Sequence, residues 1–378
     1  MKIGFITVGA YMDQEDYAGN NLLGSESQIF GLSNEFVKKG HEVYIFRRWF
    51  ESKVEIINNI NIISFKSVNS ESGLKMTIYK LKFSREVTKY IQKMELDVLV
   101  LMDSFTSYFA LKLPQPKITI THSEIPIDLI PLEKNSTMNE IKYKFLNLVQ
   151  RKLFKNSNVI IALNNEFKVY LEKKGYKTVL IPNAINLNMY STEYSKEKYI
   201  LFGGRLVKAK RIDDLIKAYS ILNEELKNDY KLIIMGFGPE KSNLENLVKS
   251  CGLENSIEFI PWDSSKEFIK KILECAVFVL PSQYETFGIV TIEAMALKKP
   301  VIASDTYGSI DIIKNGYNGF LFETGNVKKL SEQLQMILED ANLRFKIGIN
   351  AIKTVEENYT FDKISNEYIN LFSELMEI

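Results

Sequence analysis

Short aliphatic runs alternate with longer stretches of helical period along nearly the whole chain, and they do so in two separate series. A short strand that is apolar at every position is buried on both faces. That burial belongs to parallel sheets, whose strands are joined by crossover helices, so the pattern selects repeated βαβ units. In the first series the predicted strands are Lys2 to Val8, Glu42 to Phe46, Asn61 to Phe65, Val98 to Met102, Lys117 to Thr121 and Val159 to Ala162. Between the first two, Glu26 to Lys39 spaces Ile29, Phe30, Leu32, Phe36 and Val37 along one helical face and stops at Gly40. A second series follows: Tyr199 to Phe202, Leu232 to Met235, Ile257 to Ile260, Ala276 to Leu280 and Pro300 to Ala303. The polar stretch Asn188 to Lys198 between the two series carries no apolar period and reads as the boundary. The expected fold is α/β, with two Rossmann-like domains facing each other across a cleft. These are residues 1–190 and 191–360, with residues 361–378 forming an amphipathic helix that packs back on the first domain. Ligands of such sheets bind at the carboxyl ends of the strands.

Size and composition agree with this. At 378 residues the chain exceeds what one hydrophobic core organises, and 46% hydrophobic with 25% charged residues is a globular balance. Two cysteines and two histidines, His41 and His122, leave no disulfide framework and no zinc-spaced cluster, which points to a reducing, cytoplasmic location. The opening apolar run is too short for a signal peptide, and no run approaches the roughly 18 residues of a membrane span. Net charge is +1, but residues 1–190 hold 25 Lys+Arg against 19 Asp+Glu and the rest 23 against 28. Solvated surface explains the basic first half; attraction to anionic lipid or to a phosphate-bearing acceptor is the alternative. Ile141 to Lys155 poses the same choice, because its basic and apolar residues suit either a helix packed on the first domain or peripheral contact with the inner face of a membrane. No nucleic-acid module is present.

The segment Pro281 to Ala296 carries the most chemical information. It leaves a buried strand, passes through a loop holding Glu285 and Gly288, and enters a helix carrying Glu293. Such a turn aims backbone N–H groups and the positive end of a helix dipole at one spot, where a phosphate is favoured. Glu285 at the loop tip suits sugar hydroxyls, and Glu293 suits a ribose diol. As solvated residues they would need no explanation, but Glu293 lies among Val290, Ile292, Ala294 and Met295, where an unpaired charge costs several kcal/mol, so it requires a partner. The run Gly203-Gly204-Arg205-Leu206-Val207-Lys208-Ala209-Lys210 is a second strand-to-helix loop. There Arg205 and Lys210 can stabilise the charge that develops on a departing diphosphate, while Lys208 and Arg211 read as solvated helix-entry charges.

Gly204-Arg205-Leu206 followed by Lys210, with Glu285 and Glu293 in E-x7-E spacing, resembles the donor-site signature of glycosyltransferase family 4. Leu23-Gly24-Ser25-Glu26, Ile181-Pro182-Asn183-Ala184-Ile185-Asn186, Gly236-Phe237-Gly238-Pro239 and Asn315 to Leu321 are similar to further family segments in the same order. The resemblance implies a metal-independent, retaining hexosyltransferase of the GT-B fold. It would take a UDP- or GDP-linked sugar as donor and a glycan, lipid-linked or other hydroxyl as acceptor. It implies that Arg205 and Lys210 bind the diphosphate, Glu285 the sugar, Glu293 the ribose, and the backbone of Phe287, Gly288, Ile289 and Val290 the phosphates. It places Gly24 in a first anion-binding loop and His122 near the reacting carbon, and it implies front-face attack on the sugar. Four positions depart from the family: Leu23 replaces a glycine, Ala184 and Asn186 replace Gly and Asp, and Arg211 replaces the glycine after the lysine. The absence of an Asp-x-Asp pair argues against a metal-bridged donor, and Gly236-x-Gly238 lacks the third glycine of a nicotinamide fingerprint. A sugar-nucleotide epimerase and a non-catalytic nucleotide-sugar-binding partner are the rival readings.

Overall fold

A computed structural model describes residues 1–7, 25–67, 74–120, 137–190 and 198–377. Contacts divide the chain into two compact units, and the described parts of the first are residues from Met1 to Pro182 together with the final helix, Phe361–Met376. The second unit contains Asn183 to Thr360. The break thus falls ahead of the polar stretch Asn188 to Lys198, because Ile185 already pairs with the second unit: its N–H donates to the Tyr359 carbonyl at 2.8 Å.

The first unit is built on an eight-stranded sheet in the order β3-β4-β2-β1-β5-β6-β7-β8. The strands are β1 (Lys2–Ile6), β2 (Glu42–Trp49), β3 (Lys53–Ile57), β4 (Ile60–Lys66), β5 (Val98–Leu101), β6 (Lys117–Ile120), β7 (Val159–Ala162) and β8 (Thr178–Leu180). All neighbours run parallel except β3, which returns antiparallel along β4. Strand β2 extends past Phe46, where the charges of Arg47 and Arg48 break the apolar pattern. Both arginines are nevertheless buried, and Arg47 places its guanidinium 4.2 Å from the Trp49 ring and donates through Nε to Ser64 Oγ at 3.0 Å. Strand β3 escaped sequence reading because it is an edge strand with an exposed apolar face. Its turn uses Asn58 and Asn59, both at positive φ (51° and 62°), the backbone that a two-residue hairpin favours.

The helix Ser25–Lys38 ends at Gly40, whose φ is 81°, as its sequence indicated. It buries Phe36 against Phe5, Tyr368 and Phe372, with ring centroids 5.7 to 6.3 Å apart. Tyr368 and Phe372 belong to the final helix, so that helix completes the first unit's core, and Lys39 Nζ secures it to Asp362 at 2.7 Å. The helix Thr137–Lys155 buries Val149, Leu153 and Phe154 while Phe145 and Leu148 stay exposed. Among the described residues no helix is long and apolar enough to cross a membrane. His41, read as structural, has its Nδ1 3.2 Å from the Met1 amino group, and burial lowers its pKa.

The second unit carries a wholly parallel six-stranded sheet in the order β11-β10-β9-β12-β13-β14. Its strands are β9 (Tyr199–Gly203), β10 (Lys231–Met235), β11 (Ile257–Ile260), β12 (Cys275–Leu280), β13 (Val301–Ser304) and β14 (Phe320–Phe322). Counted within the unit this is the doubly wound order 3-2-1-4-5-6. Successive connections leave β9 in one direction along the sheet and β12 in the other, so the switch point lies between the carboxyl ends of these two strands. Every residue of β9 and β12 is buried.

Candidate active site

Both chemistry-bearing loops leave the sheet at that switch point: residues 204–211 follow β9 and residues 281–288 follow β12. Three features hold the first loop. The Leu206 N–H donates to the Phe237 carbonyl at 2.8 Å, and the Glu240 N–H to the Leu206 carbonyl at 3.0 Å. Gly236 lies so close beneath that a β-carbon there would stand 1.9 Å from the Gly204 carbonyl oxygen. A single 3-10 turn, Lys208–Lys210, then leads into the helix Ile212–Ile221 through Arg211. Arg211 has φ 46° and ψ 42°, left-handed backbone that explains why glycine suits this position. Arg211 is therefore more than a solvated charge, because its guanidinium is bonded to the buried Asp214 carboxylate.

The second loop is fastened to the first, with the Gln283 N–H donating to the Ala209 carbonyl at 2.8 Å. The Gly308 N–H binds the Glu285 carbonyl at 3.1 Å, and the buried Phe287 ring rests on Tyr359, with centroids 5.8 Å apart. Gly288, at φ 85°, caps the helix Ile289–Ala296. Ile289 and Val290 supply the first N–H groups of that helix, the kind of amide that can bind an anion.

Of the side chains singled out from sequence, the structure joins two. Lys210 Nζ stands 2.5 Å from Glu285 Oε2, both largely enclosed at 18% and 15% exposure. Arg205, on the same loop as Lys210, projects into solvent and makes no side-chain bond among the described residues. Glu293 does have the partner its surroundings demand. Its Oε1 accepts from the Tyr190 hydroxyl at 3.0 Å, and burial pushes its carboxyl up to about 7 against the opposing effect of that bond. Burial and the Glu293 charge likewise raise the Tyr190 phenol. Tyr190 was missed because it lies in a polar stretch read only as a boundary; the sole advance signal was the need of Glu293 for a partner. Gly24 and His122 lie outside the described residues.

A doubly wound unit together with a second Rossmann-like unit is the α/β architecture of the GT-B fold. The chain belongs to the group 1, family 4 glycosyltransferases: the model described as Glycosyltransferase Family 4 matches residues 23–189 and that of Glycosyl transferases group 1 matches residues 189–354. A Campylobacter jejuni relative, GalNAc-alpha-(1->4)-GalNAc-alpha-(1->3)-diNAcBac-PP-undecaprenol alpha-1,4-N-acetyl-D-galactosaminyltransferase, is 25% identical over 99% of each chain. Among solved structures, sucrose-phosphate synthase from Thermosynechococcus elongatus has a TM-score of 0.83 at 20% identity, covering 100% of this chain and 99% of its own. HepE from Anabaena, in complex with UDP-glucose, has a TM-score of 0.73 at 16% identity and covers 99% and 100%. These two share the fold. The chain is a sugar transferase.

Proposed function

We propose that the protein transfers a hexose from a UDP- or GDP-linked donor to a hydroxyl of a glycan or lipid-linked acceptor, with retention of configuration and without a metal. The observation that carries this is the meeting of Lys210 and Glu285 from two loops at the switch point. A cation for the leaving diphosphate and an acceptor for sugar hydroxyls stand side by side, as a pyrophosphate-linked sugar requires. Arg205 and the first N–H groups of the helix Ile289–Ala296 add positive potential for the phosphates, and Glu293 takes the ribose diol. The UDP-glucose bound by HepE and the diphospho-undecaprenol-linked acceptor in the name of the Campylobacter relative support this choice of substrates.

In the proposed step the bond from the anomeric carbon to the diphosphate oxygen breaks. The acceptor oxygen attacks from the same face and its proton passes to the departing phosphate oxygen, so no base on the protein is consumed. Lys210 and Arg205 stabilise the charge left on the diphosphate, and the family resemblance assigns His122 to the acceptor side. Thermal-shift screening against UDP-, GDP- and ADP-sugars identifies the donor. Incubation of the donor with and without an acceptor, followed by NMR of the products, then tests the reaction: a sugar transferred to the acceptor with unchanged anomeric configuration supports it, and an epimerised sugar nucleotide formed without acceptor refutes it. Sedimentation with anionic vesicles at low salt tests whether the exposed Phe145 and Leu148, flanked by Lys144 and Arg151, reach a lipid-linked acceptor at a membrane.

A further inference from the structure

Tyr190 lies four residues past the Ile181 to Asn186 segment, and it is buried and bonded to the one carboxylate on the helix Ile289–Ala296. It is reached through a 3-10 turn, Leu187–Met189, whose start is fixed by Asn186 Oδ1 accepting from the Asn188 N–H at 3.1 Å. The Tyr190 N–H in turn donates to the Leu187 carbonyl at 3.0 Å. Backbone geometry thus delivers the phenol to Glu293 from far along the chain. The phenol uses Oε1 alone and leaves Oε2 without a bonded partner among the described residues.

We propose that Tyr190 is a positioning residue for nucleotide binding: its hydroxyl holds Glu293 in one orientation, with one oxygen tied and the other left to accept from the ribose hydroxyls. This rests on Glu293 being the ribose acceptor. The bond also sets the charge state. Burial alone favours a protonated Glu293, whose hydroxyl would turn one acceptor oxygen into a donor, and the Tyr190 hydroxyl opposes that by bonding the carboxylate. The helix Ile289–Ala296 packs against β12, β13 and the helices Ser265–Glu274 and Ala341–Asn358. No titratable group on those elements, among the described residues, shifts Glu293; Tyr190 does.

The test is calorimetric titration of the full chain with UDP and with GDP between about pH 6 and pH 9, a window spanning the raised carboxyl. Tyr190→Phe removes one oxygen and keeps the ring in its buried place. It is expected to weaken nucleotide binding about 10-fold near pH 7, the scale of one hydrogen bond to a charged group, with the deficit shrinking toward pH 9. Glu293→Gln is expected to bind weakly with no pH dependence across this window, and adding Tyr190→Phe to it should change nothing further. Wild-type affinity in Tyr190→Phe, or a weakening that is the same at every pH, overturns the proposal and leaves the phenol a packing residue. Wild-type affinity in Glu293→Gln overturns the ribose assignment instead, and failure of both nucleotides to bind the wild type overturns the two together.

Discussion

Lys210 Nζ and Glu285 Oε2 stand 2.5 Å apart although 75 residues separate them in sequence. Each side chain occupies the other, so the cation and the carboxylate are held beside each other before any donor arrives. A ligand with an anionic diphosphate and a hydroxyl-rich sugar can engage both at once. Removing either member strands the other in a largely enclosed place. Lys210→Ala and Glu285→Ala are each expected to lower kcat/KM by about 10²-fold, the scale of losing one preorganised electrostatic contact, as steady-state kinetics would show.

Glu293 makes stability depend on pH in a definite direction. Its carboxyl is raised to about 7 in the folded protein, so the folded state holds its proton more tightly than the unfolded chain does. The stabilisation is complete at acid pH, below the ordinary glutamate range, and is lost as pH rises through about 7. Replacing the carboxylate by the neutral amide in Glu293→Gln is therefore expected to stabilise the second unit by up to about 3 kcal/mol near pH 8. The gain should vanish near pH 4, as thermal melts across the pH range would show, while the same variant binds nucleotide less well.

Gly288 joins the Glu285 loop to the helix N-terminus in a conformation that L-residues avoid, at φ 85°. A β-carbon there would lie 3.1 Å from Thr291 Oγ1 and 3.2 Å from Glu285 Cγ. Gly288→Ala is expected to cost about 1–2 kcal/mol of stability and to displace Glu285. Urea denaturation measures the first effect, and a rise in donor KM measures the second.

In the first unit, Phe372 is fully buried on the final helix, 5.7 Å from Phe36 by ring centroids. Phe372→Ala is expected to destabilise that unit by about 3–5 kcal/mol, the cost of a large cavity. Nucleotide affinity at a temperature where the unit stays folded should be unchanged, because every proposed nucleotide contact among the described residues lies in the second unit; denaturant melts and calorimetry check both halves of this expectation.

The central strands of both sheets were legible because a strand buried on both faces is apolar throughout, as β9 and β12 are. What escaped was set by distant partners or by position at a sheet edge. Strand β3 exposes Val54 and Ile56 at 65% and 67%, β8 and β14 span three residues each, and the end of β2 hides two arginines that sequence alone would leave in water. The places of the Lys210 and Glu285 loops, after β9 and β12, were legible because each follows an apolar strand and opens a helical pattern. Tyr190 could not be found this way, because nothing near it in sequence distinguishes its phenol from an ordinary linker residue, and its partner is 103 residues away.

Calorimetric comparison of a sugar nucleotide with its bare nucleotide, in the wild type, Lys210→Ala and Glu285→Ala, tests the donor site most directly. Lys210→Ala should weaken both ligands, whereas Glu285→Ala should weaken only the sugar nucleotide and abolish its advantage over the bare diphosphate. Wild-type affinity of both variants for both ligands would contradict the site.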